Sequence, residues 1–144
     1  MVADILPDSG SEFGARVRKR LAEEQVIWLT TTGGDGTPQP NPVWFLWEGP
    51  ATMLIYNRSE AHRLGHLAAR PRVSLHLDGD GRGGNIVVLG GRAERVSDVQ
   101  PSDENQGYQA KYGDAMVRIS GSLGAFAAAY PVAIRVHIDR VRGH

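Results

Sequence analysis

The sequence predicts a mainly β protein, a small antiparallel barrel of about six strands with peripheral helices. Two observations carry this. Short runs rich in β-branched and aromatic residues recur along the chain, separated by glycine, proline and aspartate clusters. Most connections between these runs are of hairpin length, and one is a short helix, whereas a βαβ sheet needs a helical crossover between each parallel pair.

Taken in order, residues 1–8 read as a loose lead-in to a single domain spanning residues 1–144. Ser9 or Ser11 caps a helix that runs to about Glu24, with Phe13, Val17 and Leu21 four apart on one face. Residues 26–32 form the first strand, and Gly33-Gly34-Asp35-Gly36 is a tight turn. Residues 37–47 return as its hairpin partner. Pro38, Pro40 and Pro42 cannot donate to a ladder, so this strand begins at an edge or a bulge. Val43-Trp44-Phe45-Leu46-Trp47 is apolar on both faces, which predicts a barrel wall that also meets a partner subunit or a ligand.

Residues 52–56 are the third strand. A helix over 60–69 follows, with Ser59 as its expected N-cap. Residues 73–77 alternate Val73, Leu75 and Leu77 against Ser74 and His76. Residues 78–84 are a glycine-rich loop. Residues 85–97 form a long strand in which Gly90-Gly91 marks a bulge or bend. A helical region begins at Pro101 and reaches about Tyr112, a short helix covers 122–130, and 133–141 is the closing strand.

Composition narrows the function. The chain has 144 residues and no cysteine, so disulfides, thiolate metal sites and a cysteine nucleophile are excluded. This fits a reducing cytoplasm. Sixteen basic residues balance sixteen acidic ones, which argues against a nucleic-acid partner. The N-terminus shows no apolar signal segment, and no apolar run approaches the ~20 residues that span a bilayer, so no membrane partner is expected.

The most informative stretch is 57–67. A strand runs into a helix there, with Arg58, His62 and Arg63 around the junction. A helix N-terminus presents unpaired N–H groups, and with cations beside it such a place suits a phosphate. Glu60 works against this, because it already complements the helix dipole. Asn41 and Asn57 are polar exceptions beside strands, each able to bond a ring edge or cap a turn. Other chemistry is poorly supported. In the loop 78–84, Arg82 occupies a ligand position of a calcium loop, and a strand rather than a helix follows its glycines. His62 and His66 lack the third convergent ligand of a metal centre. No serine sits in a nucleophile elbow.

The chain resembles a known family through Trp28-Leu29-Thr30-Thr31 and the run from Asp35-Gly36-Thr37-Pro38-Gln39 through Pro40, Pro42, Val43, Trp44 and Phe45. Further matches are Pro71-Arg72-Val73-Ser74-Leu75-His76-Leu77-Asp78-Gly79-Asp80, Ala110-Lys111-Tyr112-Gly113-Asp114 and the closing Arg140-Val141-Arg142-Gly143-His144. These resemble the pyridoxamine-phosphate-oxidase-like split β-barrels, and more narrowly the actinobacterial oxidoreductases that use coenzyme F420, a deazaflavin.

The resemblance implies a six-stranded antiparallel split barrel and a homodimer with cofactor sites at the subunit interface. It implies a phosphate near Arg58, Ser59 and His62, with Asn57 and Arg63 alongside. It implies a ring lying along Gln39, Asn41, Pro42, Val43 and Trp44, closed by His76, Gly84 and Asn85 of the partner subunit. Relatives usually carry lysine where His62 stands, and a histidine is only partly charged at neutral pH; Arg58 or Arg63 could take over. The expected activity is hydride transfer from the reduced deazaflavin to a small, electron-poor organic acceptor, with the protein supplying orientation and a dry pocket. Tyr56 and His76 are candidate proton donors. The alternatives are FMN as the cofactor, and a non-catalytic F420 carrier.

Overall fold

A computed structural model of the chain describes residues 4–144. Its elements are α1 (Glu12–Glu23), β1 (Ile27–Thr32), β2 (Pro38–Val43), β3 (Leu46–Trp47), β4 (Thr52–Asn57), α2 (His62–Ala69), β5 (Arg72–His76), β6 (Val87–Val96), α3 (Gln106–Ser120), α4 (Leu123–Ala129) and β7 (Val132–Gly143). The strands form one antiparallel sheet in the order β2-β1-β5-β6-β7-β4-β3. The molecule is a split β-barrel with flanking helices, built from seven strands rather than six.

The seventh strand arises because residues 37–47 are not one strand. β2 pairs with β1 at one edge of the sheet, and β3 pairs with β4 at the other. Only Trp44 and Phe45 join them, so the sheet curls until its two edges nearly meet. The backbone freed at this break is satisfied from α3. The Tyr112 hydroxyl accepts from Phe45 N at 2.9 Å and lies 3.0 Å from the Phe45 carbonyl, to which Lys111 Nζ donates at 2.7 Å. Buried peptide groups without such partners would each cost about 1–3 kcal/mol.

The alternate prolines behave as an edge demands. Pro38, Pro40 and Pro42 sit opposite Thr32, Thr30 and Trp28 on the outermost strand. The β6–β7 register shifts between Gly90 and Gly91. A Cβ at Gly91 would overlap the His137 carbonyl, so only glycine allows β7 to approach there.

The apolar residues on both sides of 43–47 have an explanation within this chain. Val43 and Phe45 join the barrel core with Ile27, Leu29, Met53, Ile55, Leu75, Val87 and Ile134, capped by Val17 and Leu21 of α1. Trp44 and Leu46 face a second cluster, formed by Tyr108, Tyr112, Met116 and Phe126 against Leu54 and Tyr56. The second face is covered by α3 and α4, so it does not by itself call for a partner subunit. Leu6 is buried against the barrel core, so residues 4–8 of the expected loose lead-in are anchored; residues 1–3 lie outside the described part.

Ser11 caps α1 through Gly14 N at 2.9 Å, and Ser122 caps α4 through Ala125 N at 3.0 Å. α3 begins later than expected, after its Asn105 cap, and continues past Tyr112 to Ser120. Tyr108, Tyr112 and Met116 at four-residue spacing bury one face of it, and Gly121, at φ 92°, ends it. No helix among the described residues is long and apolar enough to cross a membrane.

Candidate functional site

β4 carries Tyr56 and Asn57 to the junction, the chain turns through Arg58–Ala61 with Ala61 N donating to Arg58 O at 3.2 Å, and α2 begins. Ser59 does not cap this helix. The N-cap is Ala61, which has no oxygen to offer, while the Ser59 hydroxyl donates to the Glu60 carboxylate at 3.1 Å. The turn places Ser59 too early for the cap position. The first N–H groups of α2 are therefore left without a side-chain partner, at the positive end of the helix dipole.

Two clefts meet here. The first, about 520 Å³, is lined by Gln39, Asn41, Ala61, His62, Arg63 and His66. The second, about 240 Å³, is lined mainly by Trp44, Tyr56, Tyr108, Phe126 and Tyr130, with Pro42 and Val43 from the end of β2 and Ile119 at its margin. Arg63 lines both.

Arg63 is half-buried, and its Nε donates to Asn57 Oδ1 at 2.6 Å. No carboxylate among the described residues pairs with it. Burial pulls its pKa below the ordinary arginine value. A guanidinium stays charged in proteins, so the junction holds an uncompensated cation. His66 is oriented from below by the fully buried Thr31, whose hydroxyl lies 3.0 Å from His66 Nδ1.

The second cleft is walled by a column of rings. The Arg58 guanidinium lies 4.6 Å from the Tyr130 ring and donates to its hydroxyl at 3.2 Å. Tyr130 stacks on Phe126 at 4.5 Å, Phe126 on Trp44 at 5.5 Å, and Trp44 on Tyr112 at 4.6 Å. Lys111 Nζ lies 5.1 Å from Tyr112 and 3.7 Å from Phe45, and burial pushes its pKa down to about 8. Both ends of the column thus carry a cation against a ring face, a favourable arrangement. Burial raises the pKa of Tyr56, Tyr108 and Tyr112.

Of the residues expected at the site, Gln39, Asn41, Pro42, Val43, Trp44, His62 and Arg63 line one cleft or the other. Asn57 stands behind Arg63, fully buried. Arg58 and Ser59 line neither cleft. His76 stacks on Trp28 at 6.1 Å on the other side of β1, and Gly84 and Asn85 lie in the loop beyond Asp80, where the Asn85 carbonyl accepts from Arg20 at 2.9 Å. These three line neither cleft of this chain. Tyr56 presents its ring to the second cleft, but its hydroxyl donates to Gln100 O at 2.6 Å and accepts from Asn105 at 3.1 Å, which makes it a poor proton donor. The sequence reading missed His66, Tyr108, Phe126 and Tyr130 as cleft residues. The four-residue spacing of Tyr108 with Tyr112, and of Phe126 with Tyr130, was the available signal.

No protein of curated function matches the sequence. Among solved structures, the chain is similar to a conserved hypothetical protein from Mycobacterium tuberculosis, at TM-score 0.67 and 20% identity over 99% of this chain and 87% of that one. It is similar to an F420 reductase at TM-score 0.63 and 20% identity, covering 95% and 98%. An FAD-binding protein from Mesorhizobium loti shares the fold at TM-score 0.61 and 25% identity, covering 86% and 88%. The family profile described as pyridoxamine 5'-phosphate oxidase matches residues 13–144, and the chain belongs to that family.

Proposed function

We propose that this protein is a coenzyme F420-dependent oxidoreductase acting on a small, electron-poor organic acceptor. One observation carries the reading: a half-buried arginine without a carboxylate partner stands at an uncapped helix N-terminus, between a polar cleft and an aromatic one. That donor set fits a phosphorylated cofactor with a flat ring. Arg63, His62 and the first N–H groups of α2 would hold the phosphate. Gln39 and Asn41 would bond the polar edge of the ring, and Trp44 with Pro42 and Val43 would bound the space beside it. When bound, the deazaflavin supplies the hydride. The protein's part is to fix the ring through its phosphate, and to keep water from the acceptor with the rings of Tyr108, Phe126 and Tyr130.

The active unit is a homodimer. Trp28, His76, Gly84 and Asn85 line neither of the two clefts of their own chain, so a role for them in cofactor binding requires a second copy. The absence of cysteine suits a cytoplasmic location. FMN is the second reading, favoured by the FAD-binding relative, since a flavin shares the phosphate and tricyclic ring. A fluorescence titration with F420 and with FMN, followed by turnover of nitroaromatics, enones and quinones, tests the proposal. Tighter binding of F420 with turnover is expected. Tighter binding of FMN supports the second reading, binding of F420 without turnover makes the protein a carrier, and binding of neither removes the proposal.

A further inference from the structure

Asn57 ends β4 and is fully buried. Its amide nitrogen donates to the carbonyls of Ile55 and Val132, each at 3.0 Å. These two acceptors leave the amide one orientation. Turned over, its oxygen would face two carbonyl oxygens, and its NH₂ would face the Arg63 guanidinium. Oδ1 is therefore held toward Arg63 and accepts from Nε at 2.6 Å.

We propose that Asn57 is a positioning residue for Arg63, fixing the guanidinium between the two clefts and, because it is neutral, doing so without cancelling its charge. The inference rests on reading the first cleft as an anion site. A carboxylate at this place would take the guanidinium in a charge-assisted pair and leave little net charge for a ligand. The amide oxygen engages Nε and leaves the charge, with the donors of both terminal nitrogens, to the clefts that Arg63 lines. The anchor is rigid because Asn57 pairs with Val132 across the β4–β7 ladder, so the register of two interior strands sets where the cation stands.

The test uses the full chain and two readouts. Side-chain NMR follows exchange of the Arg63 Nε–H, identified by its loss in Arg63→Lys. Backbone amides of His62 and Arg63 follow a titration with inorganic phosphate. In the wild type, the Arg63 Nε–H exchanges more slowly than those of the exposed arginines, and Asn57→Ala speeds it about tenfold, as loss of one buried hydrogen bond implies. Asn57→Asp lowers phosphate affinity about tenfold or more, as expected when a charge-assisted contact is diverted to the protein. Asn57→Asp also turns an oxygen toward two carbonyls; if it does not fold, the wild-type and Asn57→Ala exchange rates still decide. Wild-type Nε–H exchange as fast as that of the exposed arginines overturns the positioning role, and unchanged phosphate affinity in a folded Asn57→Asp overturns the argument from neutrality. Wild-type amides that ignore phosphate overturn the anion reading, while a slowly exchanging Arg63 Nε–H would still establish the anchor.

Discussion

The two clefts that share Arg63 are built by opposite means. The polar cleft rests on few contacts: one hydrogen bond from Arg63 to Asn57, one between Thr31 and His66, and a helix end without a cap. The aromatic cleft is the open side of a packed cluster. Tyr112 and Trp44 belong both to its ring column and to the packing that closes the barrel. The polar cleft can therefore be altered while the fold survives, whereas the aromatic cleft cannot be altered deeply without loosening the closure at Phe45.

The largest effect that would break this contrast is Tyr112→Ala. It removes a buried ring and leaves the Phe45 N–H and the Gln25 carbonyl without their hydroxyl partner. We expect a loss of about 3–5 kcal/mol in urea unfolding. A loss below about 1 kcal/mol, the net worth of an ordinary hydrogen bond, would mean that the column is not part of the core.

Next is Arg63→Gln, which under the proposed function should weaken F420 binding about ten- to a hundredfold by removing a charge-assisted contact. Arg58→Ala should weaken it by far less, because that guanidinium is engaged with Tyr130. A titration that ranks them the other way would move the phosphate to Arg58.

Ala61→Asp sharpens the contrast further. It supplies the missing N-cap, and should raise stability by about 1 kcal/mol in thermal or urea unfolding. The same carboxylate occupies the N–H groups offered to phosphate, so cofactor affinity should fall. A rise in both stability and affinity would show that the helix end plays no part in binding.

The smallest effects are in pH. Lys111 has its pKa lowered to about 8 by burial, so the unfolded chain binds that proton more readily between about 8 and the ordinary 10.5. Its contribution to stability should rise with pH across that window, and Lys111→Met should remove the rise. Tyr56, Tyr108 and Tyr112 act in the opposite sense. Their folded pKa values are raised, so their contribution is complete below the ordinary 10.0 and is lost as pH climbs above it. Tyrosinate absorbance from Tyr108 and Tyr112 should appear together with unfolding, not before it.

How much of this was legible depended on whether the cause was local. Three prolines without N–H groups limited the start of β2 to an edge or a bulge, of which the sheet order selects the edge, and Gly90-Gly91 marked the β6 irregularity. Ser11 and Ser122 cap the helices that follow them, because a cap bond spans only a few residues. Ser59 looked equally suitable, but the turn through Arg58–Ala61 moved the helix start beyond its reach. The split of residues 37–47 was invisible for a different reason. Trp44 and Phe45 have good strand propensity, and the partner that replaces their ladder bonds is Tyr112, far away in sequence.

The sequence by itself determined a cysteine-free antiparallel barrel, the places where its ladder is interrupted, and a strand-to-helix junction rich in cations. These follow from side-chain chemistry acting on neighbouring backbone. Tertiary structure decided which cation faces the clefts. Arg58, His62 and Arg63 are close in sequence, but Tyr130, beside α4, takes Arg58, and Asn57, pinned to β7, takes Arg63 by its Nε. A guanidinium turns toward the acceptor within hydrogen-bond reach, and these acceptors are set by contacts distant in sequence: Tyr130 lies beside α4, and Val132 of β7 orients the Asn57 amide.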